Sequence, residues 1–184
     1  MRKVLLASIV LVAGLGVVAA SDSRRGESEN RGDRGDRKFL LHFSSMVGVD
    51  GAFIGEANAV RNVPGDEAPW EVAHEVHGWL DTNGFLMIMV HGLVFTHDPS
   101  VPPELQGRND ETEFRGLVSC LTDQDGAVVV TNLVTPGFPA TPTGDSKIMA
   151  RVDLPSSCVA PIVMVLAGSE DKWFAMTGSE AAGD

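Results

Sequence analysis

The chain has 184 residues and carries 14 basic against 25 acidic side chains, a formal net charge of −11 at neutral pH. From Phe39 to Asp184 the imbalance is steeper, with six basic and twenty acidic residues. A body this acidic repels phosphate backbones, so nucleic acid is excluded as an expected partner. The length suits one domain of ordinary size.

The N-terminus has the pattern of a secretory signal peptide over residues 1–20. Arg2 and Lys3 form a positive start, residues 4–18 are apolar apart from one serine and two glycines, and small residues precede a cleavage point after Ala20. About 15 apolar residues are too few for a spanning helix, which needs about 20. We therefore expect a secreted or otherwise extracytoplasmic protein without a transmembrane segment in its mature form.

Residues 21–38 are rich in charge, glycine and serine, and they contain no large apolar side chain. Such a composition predicts a disordered linker, because little apolar surface is available to offset the entropy of ordering. Two Arg-Gly-Asp triplets at 31–36 match an adhesion signal, although a charge-balanced spacer explains the same residues. The folded domain is expected over 39–178, followed by a disordered tail at 179–184.

Short apolar runs separated by turn residues predict an all-β fold from residue 39 onward. Eight or nine antiparallel strands in this length favour a two-sheet β-sandwich, with a β-barrel as the alternative. One run, Ile162–Leu166, is apolar on both parities, which is typical of a central strand covered on both faces. The predicted strands are 39–47, 52–61, 71–80, 85–95, 113–122, 127–135, 146–154, 160–167 and 172–177.

Residues 66–80 have two interpretations. Asp66 and the acid after it are typical of the start of a helix that would end at the following Asn-Gly. However, the apolar residues from Trp70 to Leu80 share one parity and the acids share the other, as in a half-buried strand. Asp81–Gly84 is a hairpin signal, and hairpin turns join strands. We therefore favour the strand.

The segment His74-Glu75-Val76-His77 is the most suggestive metal motif. The zinc-protease helix needs its histidines four residues apart, and here they are three apart. If a three-residue loop joins the two strands, Glu75 lies opposite His91 and His77 lies diagonally from it on the same face. Two imidazoles and a carboxylate can bind zinc. The simpler interpretation is a mixed surface in which Glu75 pairs with His91.

Calcium and nucleophile motifs are incomplete. Asp123-Gln124-Asp125-Gly126 is similar to the first half of a calcium loop, but its twelfth position is Val134 instead of glutamate. A looser calcium site built from separate loops remains an alternative. Ser169 lacks the second glycine of a nucleophile elbow. No catalytic residue is therefore predicted.

Cys120 and Cys158 are the only two cysteines. In an exported chain a lone pair of thiols most simply forms a disulfide. Oxidation would also remove both from the list of catalytic nucleophiles. We therefore predict a Cys120–Cys158 bond.

A family resemblance is carried by four segments, Val118–Thr122, Phe138–Asp145, Leu154–Val163 and Trp173–Gly178. Through them, over 55–178, the chain resembles a family of exported bacterial β-domain proteins with no assigned activity. The resemblance implies export, one β domain and the same cysteine pair. The hairpin from Leu80 to Val94 is also similar to the repeat of chordin-type domains, which are extracellular β modules.

These observations predict a secreted, non-catalytic β-sandwich module without a cofactor. Its partner would be an unknown extracellular ligand or a component of the cell envelope. The alternative is a metal-binding protein or metal-dependent enzyme that uses Glu75, His77 and His91 for zinc, or carboxylates for calcium.

Overall fold

The computed structural model describes residues 38–178, all within the compact unit Gly35–Asp184. The predicted signal peptide, the tail and all of the linker except Lys38 lie outside these residues. No helix within 38–178 is long and apolar enough to cross a membrane. The strands are β1 (Phe39–Phe43), β2 (Met46–Gly48), β3 (Trp70–Asp81), β4 (Phe85–Phe95), β5 (Glu113–Gln124), β6 (Ala127–Pro139), β7 (Ser146–Arg151), β8 (Val159–Ala167) and β9 (Trp173–Thr177).

The nine strands form two antiparallel sheets. One has four strands in the order β1-β3-β4-β7, and the other has five in the order β2-β9-β8-β5-β6. Each sheet keeps two open edges, so the prediction of a two-sheet fold is confirmed and the barrel alternative is wrong. Residues Val163–Ala167 of β8 are buried at both parities, as predicted for a central strand.

The β3–β4 hairpin resolves the ambiguity at 66–80 in favour of the strand. A single oxygen closes the turn, because Asp81 Oδ1 accepts the N–H groups of both Asn83, at 2.8 Å, and Phe85, at 2.9 Å. Gly84 has φ +78°, and a Cβ there would lie 2.0 Å from the Val152 carbonyl oxygen. Only glycine fits that position, so the turn ends the strand as the sequence predicted.

Two of the predicted strands differ in the structure. The predicted strand 39–47 divides at Ser44–Ser45 into β1 and β2, which belong to different sheets. Ser44 and Ser45 are adjacent polar residues, so the alternation of apolar and polar side chains breaks at the point where the chain passes from one sheet to the other.

The predicted strand 52–61 is wrong, because this segment forms a 3₁₀ helix (Gly51–Phe53) and turns. Arg61 and Asn62 have φ values of +52° and +64°. They form a two-residue turn closed by bonds of 3.0 and 2.9 Å between Val60 and Val63. Left-handed residues of this kind interrupt an extended strand.

Trp70 joins the two sheets at the centre of the core. Its ring stacks on Phe174 of β9 at 3.9 Å and lies 4.1 Å from the ring of Phe95 on β4. The indole Nε1–H donates to Asp66 Oδ2 at 2.8 Å, so the buried polar atom of the ring is satisfied.

The predicted disulfide is confirmed. Cys120 on β5 is fully buried, and its Cα lies 4.9 Å from that of Cys158, which precedes β8. The bond attaches the irregular segment 152–158 to β5 of the five-stranded sheet.

Candidate functional site

The outer face of the four-stranded sheet carries large apolar and aromatic side chains among its charged ones. Along β3, β4 and β7 alternate side chains such as Leu80, Ile88 and Ile148 are buried in the core. The intervening positions therefore point away from the other sheet. These outward residues are Glu75, His77, Trp79, Phe85, Met87, Met89, His91, Lys147, Met149 and Arg151.

A row of apolar and aromatic side chains crosses this face from one edge to the other. The register places His42 beside Trp79, Trp79 beside Met87, and Met87 beside Met149. Neighbouring cross-strand side chains on one face contact each other, so the row is continuous over all four strands.

Aromatic rings widen this row around Trp79. The rings of Phe39 and Phe85 lie 5.5 and 5.1 Å from the indole, and Phe39 lies 4.2 Å from the His42 imidazole. We call these four residues the aromatic patch. Trp79 and Phe85 are half-buried, while Phe39 keeps 42% of its surface exposed. Trp79 and Trp70 have opposite parity in β3, so Trp79 lies on the outer face while Trp70 lies in the core. Nothing in the local sequence indicated that Phe39 and His42 would join Trp79.

Two cations border the patch on β7. Arg151 lies opposite Phe85, and Lys147 lies opposite Met89. Both are exposed, and neither has an ion pair within residues 38–178. By contrast, Arg115 and Lys172 are bound to acids elsewhere. The β7 side of the outer face therefore combines apolar side chains with two unpaired cations, on an otherwise acidic body.

An open groove of about 700 Å³ reaches this surface at the β1 edge. Its lining includes Leu41, His42, Phe43 and Ser44, with Thr177 at the end of β9. His42 is the titratable residue that lines it and also belongs to the aromatic patch.

The predicted histidine and glutamate positions occupy the far end of the same face. Glu75 lies opposite His91, and His77 lies opposite Met89, so the expected register is observed. Among the described residues, however, the metal-binding atoms of these three do not all approach within 4.8 Å of one another. Zinc binding at Glu75, His77 and His91 therefore stays a prediction.

His91 has a partner that the sequence did not predict. Its Nδ1 lies 3.3 Å from Asp145 Oδ1, with both side chains 40% exposed. The Thr143 hydroxyl donates to Asp145 Oδ2 at 2.9 Å, and the Gly92 N–H donates to Oδ1 at 3.2 Å. The Thr143 hydroxyl first, and then His91, hold the pKa of Asp145 below its ordinary value. This arrangement directs Nε2 of His91 away from the carboxylate.

A group of three carboxylates lies on another part of the protein. Asp66, Glu67 and Glu170 bring one oxygen each within 4.8 Å of the others. Lys172 already pairs with two of them, since its Nζ contacts Glu170 at 2.7 Å and bonds Glu67 as well. These bonds raise the pKa of Lys172, and its hydrogen bond lowers the pKa of Glu67. Burial raises the pKa of Asp66.

The half calcium loop is a hairpin turn. Asp125 and Gly126 have φ values of +54° and +82°, and Asp123 Oδ1 accepts the Gly126 N–H at 3.0 Å. Within the described part of the chain, neither Asp123 nor Asp125 belongs to a group of three potential metal ligands. Their observed role is to shape the turn between β5 and β6.

Within residues 38–178 the one hydrogen bond made by a histidine side chain joins His91 to Asp145. Both cysteines are in the disulfide.

In comparisons with known proteins, no family model matches the chain, and no curated protein or solved structure shows significant similarity to it.

Proposed function

We propose that this protein is a secreted, non-catalytic β-sandwich module that acts by binding a partner outside the cytoplasm. The N-terminal sequence pattern, the resemblance to exported β-domain proteins and the Cys120–Cys158 disulfide support export. The binding surface is the outer face of the four-stranded sheet.

The aromatic patch is the observation that carries this proposal. Phe39, Trp79 and Phe85 stand on a flat sheet face instead of in the core. Contiguous exposed apolar surface marks interaction sites, and tryptophan is enriched among the residues that contribute most to binding. The strands hold these rings in place, so little conformational entropy is lost when a partner binds.

The charges on and around the outer face limit the class of partner that can bind there. Lys147 and Arg151 provide two unpaired cations beside the apolar row. The rest of the body is strongly acidic, so a long polyanion is repelled. We therefore infer a partner that presents apolar groups flanked by a few carboxylates, such as an acidic protein surface of the envelope.

The test measures how tightly labelled wild type and labelled variants bind to the envelope fraction of the cells that produce the protein. Trp79→Ala is expected to weaken binding by roughly tenfold or more, as for the loss of a central aromatic contact. Arg151→Glu should weaken binding more at low salt than at high salt, since salt screens the interaction between charges. Val159→Ala is the matched control, because Val159 is 57% exposed but lies on the other sheet. Equal binding of Trp79→Ala and wild type would contradict the proposal.

A second candidate function is zinc binding at His91. The specific observation is the pair of His91 Nδ1 with Asp145, which is the carboxylate–histidine arrangement that orients zinc ligands. Nε2 is then the ligand atom, with Glu75 opposite and His77 diagonal to it. Changes of rotamer would have to bring these side chains together.

Zinc titration by calorimetry checks this candidate. His91→Ala is expected to abolish binding, and Asp145→Asn should lower zinc affinity by roughly 10- to 100-fold, as for other residues that orient a ligand. His97→Ala is the control, because His97 is exposed and lies outside the cluster. The candidate fails if wild type binds no zinc, or if Asp145→Asn binds it as wild type does.

A further inference from the structure

One of the two edges of the five-stranded sheet is formed by β6, and the other by β2. Strand β6 is 13 residues long, and its first eight residues, 127–134, include no charge, proline or glycine. Proteins usually protect an edge of this kind with charges or prolines, because unpaired backbone groups bind other strands. Within residues 38–178 no further strand pairs with β6.

The β5–β6 turn determines which backbone groups face outward. Asp125 and Gly126 form a two-residue turn closed by the pair Gln124 and Ala127. In such hairpins the closing residues bond each other, and bonded pairs then alternate along the ladder. The N–H and C=O groups of Val128, Val130, Asn132 and Val134 therefore point to the open edge.

The regular edge has a defined length. It begins at the turn residue Gly126, and it ends at a bulge where Thr135 and Pro136 oppose Gly116. Pro136 has no N–H group and terminates strand addition. Gly126 and Pro136 are each five residues from Thr131, so the open segment is centred on that residue.

We propose that two copies of this chain associate through β6, antiparallel, with a two-fold axis at Thr131. Val128 of one copy then lies opposite Val134 of the other, and Val130 lies opposite Asn132. All of these residues have outward backbone groups, so each pair can exchange two hydrogen bonds. The two five-stranded sheets become one continuous sheet of ten strands.

Side-chain exposure agrees with this axis. Val128 and Val134 are 73% and 43% exposed, and they are among the most exposed large apolar residues of the described chain. The two-fold axis places them against each other at both ends of the interface. Cross-strand pairs of β-branched residues stabilise sheets.

The distribution of charge favours antiparallel over parallel pairing, and it favours a second copy of this chain as the partner. The interface segment 127–134 is uncharged in a chain of net charge −11. Antiparallel pairing places the acids Asp123 and Asp125 of the two copies at opposite ends, whereas parallel pairing would place them side by side. An uncharged, self-complementary segment is what association between two acidic copies requires.

Sedimentation of the protein, purified as the producing cell makes it, tests the proposal. Wild type is expected to have the mass of two copies. Val128→Lys with Val134→Lys should reduce the mass to one copy, because the axis brings the introduced lysines together. Val128→Lys with Val134→Glu is the matched control, since a lysine then faces a glutamate and two copies should remain associated.

A cysteine pair tests the register independently. Val128→Cys with Val134→Cys is expected to form a covalent dimer on mild oxidation, seen on non-reducing gels. Either change alone should not, because identical residues of the two copies would lie about 20 Å apart at 3.3 Å per residue. A monomeric wild type, an unchanged dimer in the double-lysine variant, or cross-linking by a single cysteine variant would each overturn the proposal.

Discussion

Replacing both Cys120 and Cys158 by serine is expected to lower the free energy of unfolding by about 4 kcal/mol. The bond closes a loop between residues 38 positions apart, and the chain-entropy relation gives this value for a loop of that length. The loss is large compared with the 5–15 kcal/mol that is typical of folded domains. Guanidinium unfolding of the double variant and of wild type provides the measurement.

The local structure around the disulfide gives a second reason to expect a loss of stability without it. Cys120 lies within a shift of register between β5 and β8, and Ala160 there has φ +48°. Without the bond, the segment 152–158 has few regular backbone hydrogen bonds to hold it. Wild type in excess reductant is the control, and it should match the double variant. A loss below about 1 kcal/mol would show that the loop is held by its packing.

Replacing Trp70 by alanine is expected to lower the free energy of unfolding by about 3–5 kcal/mol, the range for a buried aromatic residue. The indole is almost fully buried between Phe95 and Phe174, which come from different sheets. The cavity left by the substitution therefore lies between the two layers. Thermal and guanidinium unfolding measure the loss, and Trp79→Ala on the outer face should cost less.

Trp70→Phe separates stacking from hydrogen bonding. It retains a ring but removes the donor to Asp66, whose pKa burial already raises. A carboxyl with a raised folded pKa destabilises the protein as pH rises from its unfolded pKa through its folded pKa. Removing the donor increases this cost. Trp70→Phe should therefore lose more stability at a pH above the folded pKa of Asp66 than at a pH below its unfolded pKa. Equal losses at both would contradict this account.

The β3–β4 hairpin shows how much local sequence can predict. Asp81 and Gly84 identified the turn, and the turn length placed Glu75 opposite His91. The parity of the apolar residues separated Trp70, in the core, from Trp79, on the outer face. These features depend on one turn and on the alternation of side chains along each strand, which a sequence pattern contains.

For the long-range contacts of the site, the sequence contained no comparable local pattern. Phe39 and His42 reach Trp79 because β1 pairs with β3, and Asp145 reaches His91 from a loop 54 residues away. The division of 39–47 between two sheets and the irregular segment 52–61 were likewise decided by packing. Alternation is the same for a strand in either sheet, so it does not tell which neighbour the strand will have.

The sequence by itself therefore determined the all-β class, the cysteine pair, and the turn and side-chain faces of the β3–β4 hairpin. Tertiary structure alone decided strand order, and with it the composition of the aromatic patch and the exposure of the β6 edge. The physical reason is the range of the interactions. Turn chemistry and alternation act between near neighbours, whereas strand order depends on the burial of the whole core.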